Sequence, residues 1–345
     1  MRLEHPAVFL LGAGASRGAL SEQTIPPPLD SDFFDIAAQV KRHGTPRLAK
    51  KVLQDVWTLY GRTSGISLEA YYRDIETREK IGTFAKTKHY PKDWKRCKDD
   101  LNELIRRVII QTTCDTSSSP LAPLTSILHQ ALTRNLTAGD TVVTFNYDVI
   151  IEESFETAEF WTPLGGYGED VHGHKLDWAR KWFDTRGKTS KKSKILLLKL
   201  HGSLNWVLYR NKQVRIKPRP YVVRTRNGNP VRDKSSILPP GWNKQIDKNP
   251  YNDLWRLTRL RLEKCKSLVI IGYSLPETDL LARGLIAEVV RTRVARKNML
   301  HQLQIAEPNP MIVQKFVDLF APALGSKGFV VRHGDFAEII EKLRI

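Results

Sequence analysis

Near its start the chain reads Ala7-Val8-Phe9-Leu10-Leu11-Gly12-Ala13-Gly14-Ala15-Ser16, an apolar run followed by a run of small residues. The apolar run, bounded by glycine, predicts a buried strand. Gly12-x-Gly14 directly after a strand is the first half of a dinucleotide fingerprint. In that motif the missing side chains let backbone N–H groups approach a pyrophosphate. Arg17 stands where the common pattern has its third glycine, so the motif alone is a weak signal.

Three later stretches repeat the arrangement of an apolar strand followed by small or polar residues. In chain order they are Thr144-Phe145-Asn146-Tyr147-Asp148, Lys199-Leu200-His201-Gly202-Ser203 and Ile271-Gly272-Tyr273-Ser274-Leu275. The carboxyl ends of parallel strands meet at one edge of a sheet, and nucleotides bind at that edge in open α/β folds. Together the four motifs predict a dinucleotide site with an Asn, an Asp and a His facing the ligand.

Strand patterns alternate with helical patterns along most of the chain. Apolar runs predict strands over 7–11, 141–144, 195–200, 267–271, 303–306 and 329–332. This alternation indicates an α/β fold, a Rossmann-like parallel sheet with helices on both faces. We expect one domain over 1–345, with a mostly helical insertion over 31–135 and a basic β/loop insertion, a small subdomain, over 165–250.

Composition limits the possible partners. The chain has 55 Lys and Arg against 37 Asp and Glu, a net charge of +18 that favours polyanions. The segment 186–232 is the candidate nucleic-acid surface, and a solvated basic insert is the alternative. Three distant cysteines without a Cys-x-x-Cys pair support neither a disulfide framework nor a cysteine-built zinc site. No apolar run approaches the roughly 18 residues of a membrane helix, so we expect a cytoplasmic protein without membrane contact.

The polar residues at the strand ends suggest specific chemistry. Asn146 and Asp148 alternate in an extended segment, so both side chains can enter one pocket. The amide suits a ribose hydroxyl or a water, and the carboxylate suits a carboxamide. His201 suits general acid–base work near neutral pH. The alternatives are structural: Asp148 caps the next helix, Asn146 completes a turn, and His201 binds a loop carbonyl.

Two further segments join the predicted ligand site. Gly272-Tyr273-Ser274 offers a second backbone cradle, and Glu307 and Asn309 follow the strand over 303–306 at the same edge. Either of those two could meet an adenine or a ribose, or form a helix cap before Pro310. His172-Gly173-His174 lacks further ligands, so we expect no metal. Walker, nucleophile-elbow and H-E-x-x-H motifs are absent from the sequence.

As a set, these motifs resemble the sirtuin superfamily. Sirtuins carry a Gly-Ala-Gly-x-Ser loop, a Thr-Gln-Asn-x-Asp motif, a His-Gly with the catalytic His and a Gly-Thr-Ser cradle, in the order found here. The resemblance implies that NAD⁺ is the substrate and that the catalytic residues are Asn146, His201 and Asp148. It places NAD⁺ against Gly12, Ala13, Gly14, Ala15, Ser16, Thr144, Gly272, Tyr273, Ser274, Glu307 and Asn309.

The chain also departs from sirtuin deacylases, and these departures change the activity that the resemblance implies. The chain lacks the two Cys-x-x-Cys pairs of their zinc module. Its T-F-N-Y-D, K-L-H-G-S-x-N-W and G-Y-S-L-P-x-x-D motifs resemble bacterial sirtuin-like NAD hydrolases of phage-defence systems. That resemblance implies an oligomer and a HerA-type ATPase or Argonaute-like partner. The alternatives are a sensor subunit that binds NAD, ADP-ribose or nucleic acid without turnover, and an NAD-dependent protein deacylase.

Overall fold

The computed structural model describes residues 3–41, 44–62, 65–81, 94–118, 121–158, 161–162, 166–167, 193–208, 214–216, 220, 234–240, 246 and 250–343. Along the chain its elements are β1 (Ala7–Leu11), α1 (Ala13–Ala19), α2 (Phe33–Gln39), α3 (Thr45–Tyr60), α4 (Leu68–Ile81), α5 (Trp94–Thr113), β2 (Cys114–Asp115), β3 (Ala122–Pro123), α6 (Ile127–Asn135), β4 (Thr141–Thr144), α7 (Ile150–Ala158), β5 (Leu196–Lys199), β6 (Gly202–Leu208), β7 (Val214–Ile216), β8 (Lys234–Ile237), α8 (Tyr251–Lys264), β9 (Ser267–Ile271), α9 (Leu280–Ala295), β10 (Leu300–Ala306), α10 (Pro310–Phe320), β11 (Leu324–His333) and α11 (Phe336–Leu343).

Six strands form one parallel sheet in the order β11-β10-β9-β1-β4-β5. The strands β1, β4 and β9 are buried along their whole length, as expected for a parallel sheet covered on both faces. The helices α1, α6, α7 and α11 pack in one group, and α8, α9 and α10 pack in another. The predicted α/β, Rossmann-like fold is therefore confirmed.

The helices α2 to α5 have an apolar core of their own. Phe33, Tyr71, Trp94 and Leu101 are among its buried members, and the cluster is separate from the core around the parallel sheet. These helices lie inside the range 31–135 that the sequence predicts to be a helical insertion. The division of the chain into one domain with two insertions stays a prediction.

The second predicted insertion is described in part. Strands β7, β6 and β8 form a small antiparallel sheet in that order. His172, His174 and most of the basic segment 186–232 lie outside the described residues. Within the described ranges, no group of three or more His, Cys, Asp or Glu side chains is placed to hold a metal ion. No helix in this part of the chain has both the length and the apolar character needed to cross a membrane.

Candidate functional site

The four strand-end motifs begin at the same level of the sheet. In the parallel register, Leu11 is opposite both Thr144 and Ile271, and Thr144 is opposite Lys199. The residues after these positions therefore emerge together at the carboxyl edge, where open α/β sheets bind ligands. Glu307 follows Ala306, which is opposite Ile271 in the same register.

The two glycine loops pack directly against each other. The Gly12 N–H donates to Ile271 O at 3.0 Å, and the Gly14 N–H donates to Gly272 O at 2.9 Å. A Cβ on Gly12 would lie 2.4 Å from Gly272 O, closer than any real contact. These glycines therefore permit close approach of one loop to another. Their N–H groups donate within the protein, so a pyrophosphate would need other donors, and its predicted binding here stays a prediction.

We expect Gly272→Ala to lower the free energy of unfolding by about 1–3 kcal/mol, the usual cost of overpacking and of backbone strain. Gly272 has φ +57, and a Cβ there would lie 2.3 Å from Ala15 N. Urea unfolding measures the change. Gly284→Ala in α9 is the matched control, because a Cβ at that helical position meets nothing within 4 Å. Equal stability of the two variants would contradict the close-packing role.

The Asn146 side chain is oriented by its two amide hydrogens. Its Nδ2 donates to Gly12 O at 2.9 Å and to Ser16 Oγ at 3.0 Å. A carbonyl only accepts, so the amide nitrogen must face Gly12 and the oxygen Oδ1 must point the other way. Within the described part of the chain, Oδ1 has no hydrogen-bond partner, and Asn146 is half-buried. The arrangement presents a fixed acceptor for a hydroxyl or a water.

Asp148 holds the Ser16 hydroxyl that binds the Asn146 amide. Ser16 Oγ donates to Asp148 Oδ2 at 2.7 Å while it accepts from Asn146, so both predicted side chains meet at one hydroxyl. Asp148 Oδ1 accepts the Ile150 N–H at 3.2 Å at the start of α7. The carboxylate is buried and its described contacts are internal. These contacts match the capping alternative, and its predicted contact with a carboxamide stays a prediction.

His201 lies in an enclosure of aromatic rings. The ring of Phe145 meets it edge-on at a centroid distance of 5.1 Å, and Tyr147 and Trp255 lie at 6.1 and 6.5 Å. Phe145 in turn stacks on Tyr273 at 4.1 Å. Burial raises the pKa of Tyr147 and of Tyr273 well above the ordinary value, so both phenols stay protonated near neutral pH.

A carboxylate that sequence reasoning did not place in the site faces this histidine. Asp279 Oδ2 lies 3.5 Å from His201 Nε2, and Tyr273 OH donates to the same oxygen at 3.2 Å. Asp279 also caps α9, since its Oδ1 accepts the Ala282 N–H at 3.4 Å. The available signal was the aspartate that ends the G-Y-S-L-P-x-x-D motif, but a capping role alone explained it.

The helices α2 to α5, hereafter the helical block, contribute a second carboxylate near the site. Glu69, in the first turn of α4, accepts a hydrogen bond from Thr278 Oγ1, next to Asp279. The Glu69 N–H is in turn held by Asp30 Oδ1 at 2.8 Å. The helical block therefore contacts the loop that carries the histidine's partner. Nothing in the sequence links position 69 with position 278, because only tertiary packing brings them together.

The remaining predicted ligand residues lie at the same edge but in different settings. Thr144 Oγ1 donates to Leu11 O at 3.2 Å and accepts the Asn146 N–H at 3.0 Å, so it shapes the turn. Ala13 and Ser274 are exposed.

Asn309 caps α10 by accepting the Met311 N–H at 3.0 Å, which is the helix-cap alternative for that residue. Glu307 Oε1 accepts the Asn309 N–H at 3.1 Å, and burial raises the pKa of this carboxyl.

A buried ion pair lies beneath the motifs. Lys199 Nζ contacts Glu152 Oε1 at 2.8 Å and also donates to the backbone oxygen of Asp148. Tyr167 OH donates to the same Glu152 oxygen at 3.0 Å. Burial raises the pKa of Glu152 while the Lys199 ammonium lowers it. The pair connects the end of β5 with the turn that carries Asn146.

Comparison with known families finds a match within the chain. Residues 140–310 match the family model of the SIR2-like domain. This matched segment holds Asn146, Asp148, His201 and Asp279, whereas β1 and the first glycine loop precede it. It spans just under half of the chain. Among curated proteins, none matches the chain.

Solved Sir2 structures are also similar to this chain. A Sir2 mutant with a p53 peptide and NAD is 12% identical, with a TM-score of 0.41 over 98% of this chain and 92% of that one. A complex of a Sir2 homolog with NAD is 13% identical, with a TM-score of 0.42 over 98% and 87%. Sir2 bound to an acetylated peptide is 12% identical, with a TM-score of 0.41 over 99% and 91%. Likenesses this distant carry no argument about ligand or activity.

Proposed function

We propose that the protein is an NAD⁺ glycohydrolase that cleaves the nicotinamide–ribose bond and releases nicotinamide and ADP-ribose. The observation that carries the proposal is the placement of two groups at one sheet edge, in the segment that matches the SIR2-like domain model. One is the oriented amide oxygen of Asn146, and the other is the enclosed imidazole of His201. The sequence resemblance to sirtuin-like NAD hydrolases supplies the substrate.

The chemistry asks for few groups from the protein. Glycosidic cleavage passes through an oxocarbenium-like state. The electron pair of the breaking bond goes to the pyridinium nitrogen, so nicotinamide leaves neutral and needs no general acid. In the proposed reaction Asn146 Oδ1 accepts a hydrogen bond from the attacking water or a ribose hydroxyl. His201 takes the proton that this water or hydroxyl loses, as a general base near neutral pH.

The direct test is NAD⁺ consumption by the purified protein, followed by chromatography of the products after its assembly state has been recorded. We expect nicotinamide and ADP-ribose in equal amounts. Release of acetyl-ADP-ribose from an acetylated peptide would instead favour the deacylase. If the protein turned over NAD⁺ neither alone, in any assembly state, nor with a candidate partner, the hydrolase would be wrong and the binding module would take its place.

The biological setting is part of the proposal and is supported by the sequence resemblance. We propose a cytoplasmic effector of phage defence that depletes NAD⁺ during infection. A constitutive hydrolase would be toxic to its own cell, so we propose gating by homo-oligomer assembly or by a partner such as a HerA-type ATPase or an Argonaute-like protein. Measuring turnover with and without each partner tests this gating.

The net charge of +18 favours a second candidate, a sensor that binds nucleic acid. Binding of this kind would weaken steeply with salt, because phosphate contacts release counterions. A salt titration of DNA binding, run beside the NAD⁺ assay, separates the two functions. Steep salt dependence without turnover in any assembly state favours the sensor, and turnover without DNA favours the enzyme.

A further inference from the structure

We propose that Asp279 is a positioning residue for His201, fixing the ring orientation and the tautomer that proton transfer requires. The inference rests on the proposed function for its catalytic consequence. The contact between Asp279 and His201 can be tested without the proposed reaction, because it involves only side chains of this chain. A carboxylate beside a catalytic imidazole selects which ring nitrogen carries the proton and stabilises the imidazolium that forms.

The Asp279 carboxylate is held at both of its oxygens. Oδ1 accepts the Ala282 N–H at 3.4 Å, and Oδ2 accepts Tyr273 OH at 3.2 Å. His201 Nε2 lies 3.5 Å from Oδ2, and the side chains of His201 and Asp279 are 7% and 2% exposed. Rotation of the carboxylate away from the ring would break the cap and the phenol contact together. A helix cap needs only Oδ1, and the Tyr273 phenol fixes the second oxygen, Oδ2, on the side that faces His201.

The loop that presents Asp279 is constrained at several points. Leu275 has φ +47, a left-handed conformation that is unusual for a leucine. The Asp279 N–H donates to Pro276 O at 3.2 Å, and Glu69 binds Thr278 from the helical block. Backbone conformations of this kind persist only where the surroundings hold them, and they cluster at functional sites.

Among the described groups that surround the His201 ring, the Asp279 carboxylate is the charged one nearest to it. Phe145 and Tyr147 face the ring from the segment that follows β4, and Trp255 faces it from α8. Burial keeps the phenols of Tyr147 and Tyr273 neutral by raising their pKa values. Glu69 acts electrostatically on both tyrosines, and Arg283 acts on Tyr273. Asp279 is the carboxylate described at ion-pair distance from the imidazole.

The variant that separates positioning from capping is Asp279→Asn. Asparagine caps helices as well as aspartate does and has nearly the same shape, so α9 keeps its cap. The substitution removes the negative charge beside the ring and the preference for a proton on Nε2. The matched control is Glu277→Gln, which removes an exposed carboxylate two residues earlier in the same loop.

The first measurement is a pH titration of the His201 ring by NMR, assigned from the signal lost in His201→Gln. We expect the midpoint to fall by on the order of one unit in Asp279→Asn, because an adjacent anion favours the protonated ring. In Glu277→Gln we expect no change. An unchanged midpoint in Asp279→Asn would overturn the proposal. This measurement needs no NAD⁺ turnover, so it stands even if the proposed function fails.

The second measurement is the ring tautomer from nitrogen chemical shifts. In the wild type we expect the neutral ring to carry its proton on Nε2, toward Asp279. A proton on Nδ1 would overturn the proposal, even if Asp279→Asn failed to fold. With turnover, we expect Asp279→Asn to lower kcat at least ~10²-fold with little change in KM, since a disoriented base loses its general-base contribution. A change confined to KM would show that Asp279 acts on binding alone, against the proposal.

Discussion

Asn146→Ala is expected to lower NAD⁺ hydrolysis at least ~10²-fold, the usual cost of losing a group that assists proton transfer or positions the reactant, while the chain stays folded. The amide of Asn146 is fixed by Gly12 O and Ser16 Oγ, so its Oδ1 is oriented before the substrate arrives. Alanine removes that acceptor. The side chain is half-buried, and its two hydrogen bonds are each worth about 0.5–1.5 kcal/mol, too little to unfold the chain.

His201→Ala is the companion variant, with the same expected loss of at least ~10²-fold. Removing the ring leaves space among Phe145, Tyr147 and Trp255, so His201→Gln is the better-filled alternative. Initial rates and product chromatography measure both, with circular dichroism as the check on folding. Asn135→Ala, at the end of α6 and away from the strand ends, is the matched control and should retain full activity. Full activity in both Asn146→Ala and His201→Ala would contradict the mechanism.

The edge of the sheet was predictable because apolar runs mark where parallel strands end. Leu11, Thr144 and Ile271 close such runs, and the register places them level with Lys199, one residue before the end of the predicted run over 195–200. The alternation of Asn146 and Asp148 also predicted that their side chains point the same way. Both reach Ser16 Oγ. Local periodicity therefore carries most of the fold and part of the site.

The partners of those residues were not predictable, because they depend on packing between distant segments. Gly12 meets Gly272 rather than presenting its N–H to a ligand, and a glycine turn looks the same in sequence either way. Asp279 satisfies a helix cap locally, so its second role toward His201 leaves no separate signal. Glu69 lies in the helical block, which has its own apolar core, and it contacts Thr278 only through tertiary packing.

Strand limits show the same dependence on tertiary pairing. The apolar run over 329–332 predicts a short last strand, whereas β11 spans Leu324–His333. The prediction is too short because Gly325 and Gly328 lack strand propensity, whereas β11 pairs with β10 on both sides of an irregularity, Leu324 opposite Leu300 and Phe329 opposite Gln302. The neighbouring strand β10 likewise begins at Leu300, before the predicted range 303–306.

Lys199→Met is expected to lower the free energy of unfolding by about 3–5 kcal/mol near neutral pH, the range found when one partner of a buried ion pair is removed. Methionine fills a similar volume but leaves Glu152 without its cation, and both side chains are buried, at 0% and 8% exposure. Urea unfolding measures the loss. Lys199→Met with Glu152→Gln is the matched control. Without the orphaned charge, the double variant should recover most of the stability.

The dependence on pH distinguishes an unpaired charge from lost packing. Burial already raises the pKa of Glu152 above the ordinary 4.5, and removing the Lys199 ammonium, which lowers it, raises it further. With the folded pKa above the unfolded one, the native state binds the extra proton, so stability falls as pH rises between the two. The loss in Lys199→Met should therefore be smallest below about pH 4.5 and grow toward neutral pH. An equal loss of unfolding free energy at low and at neutral pH would assign the loss to packing. The Lys199 side chain would then stabilise the turn that carries Asn146 through its volume and not through its charge.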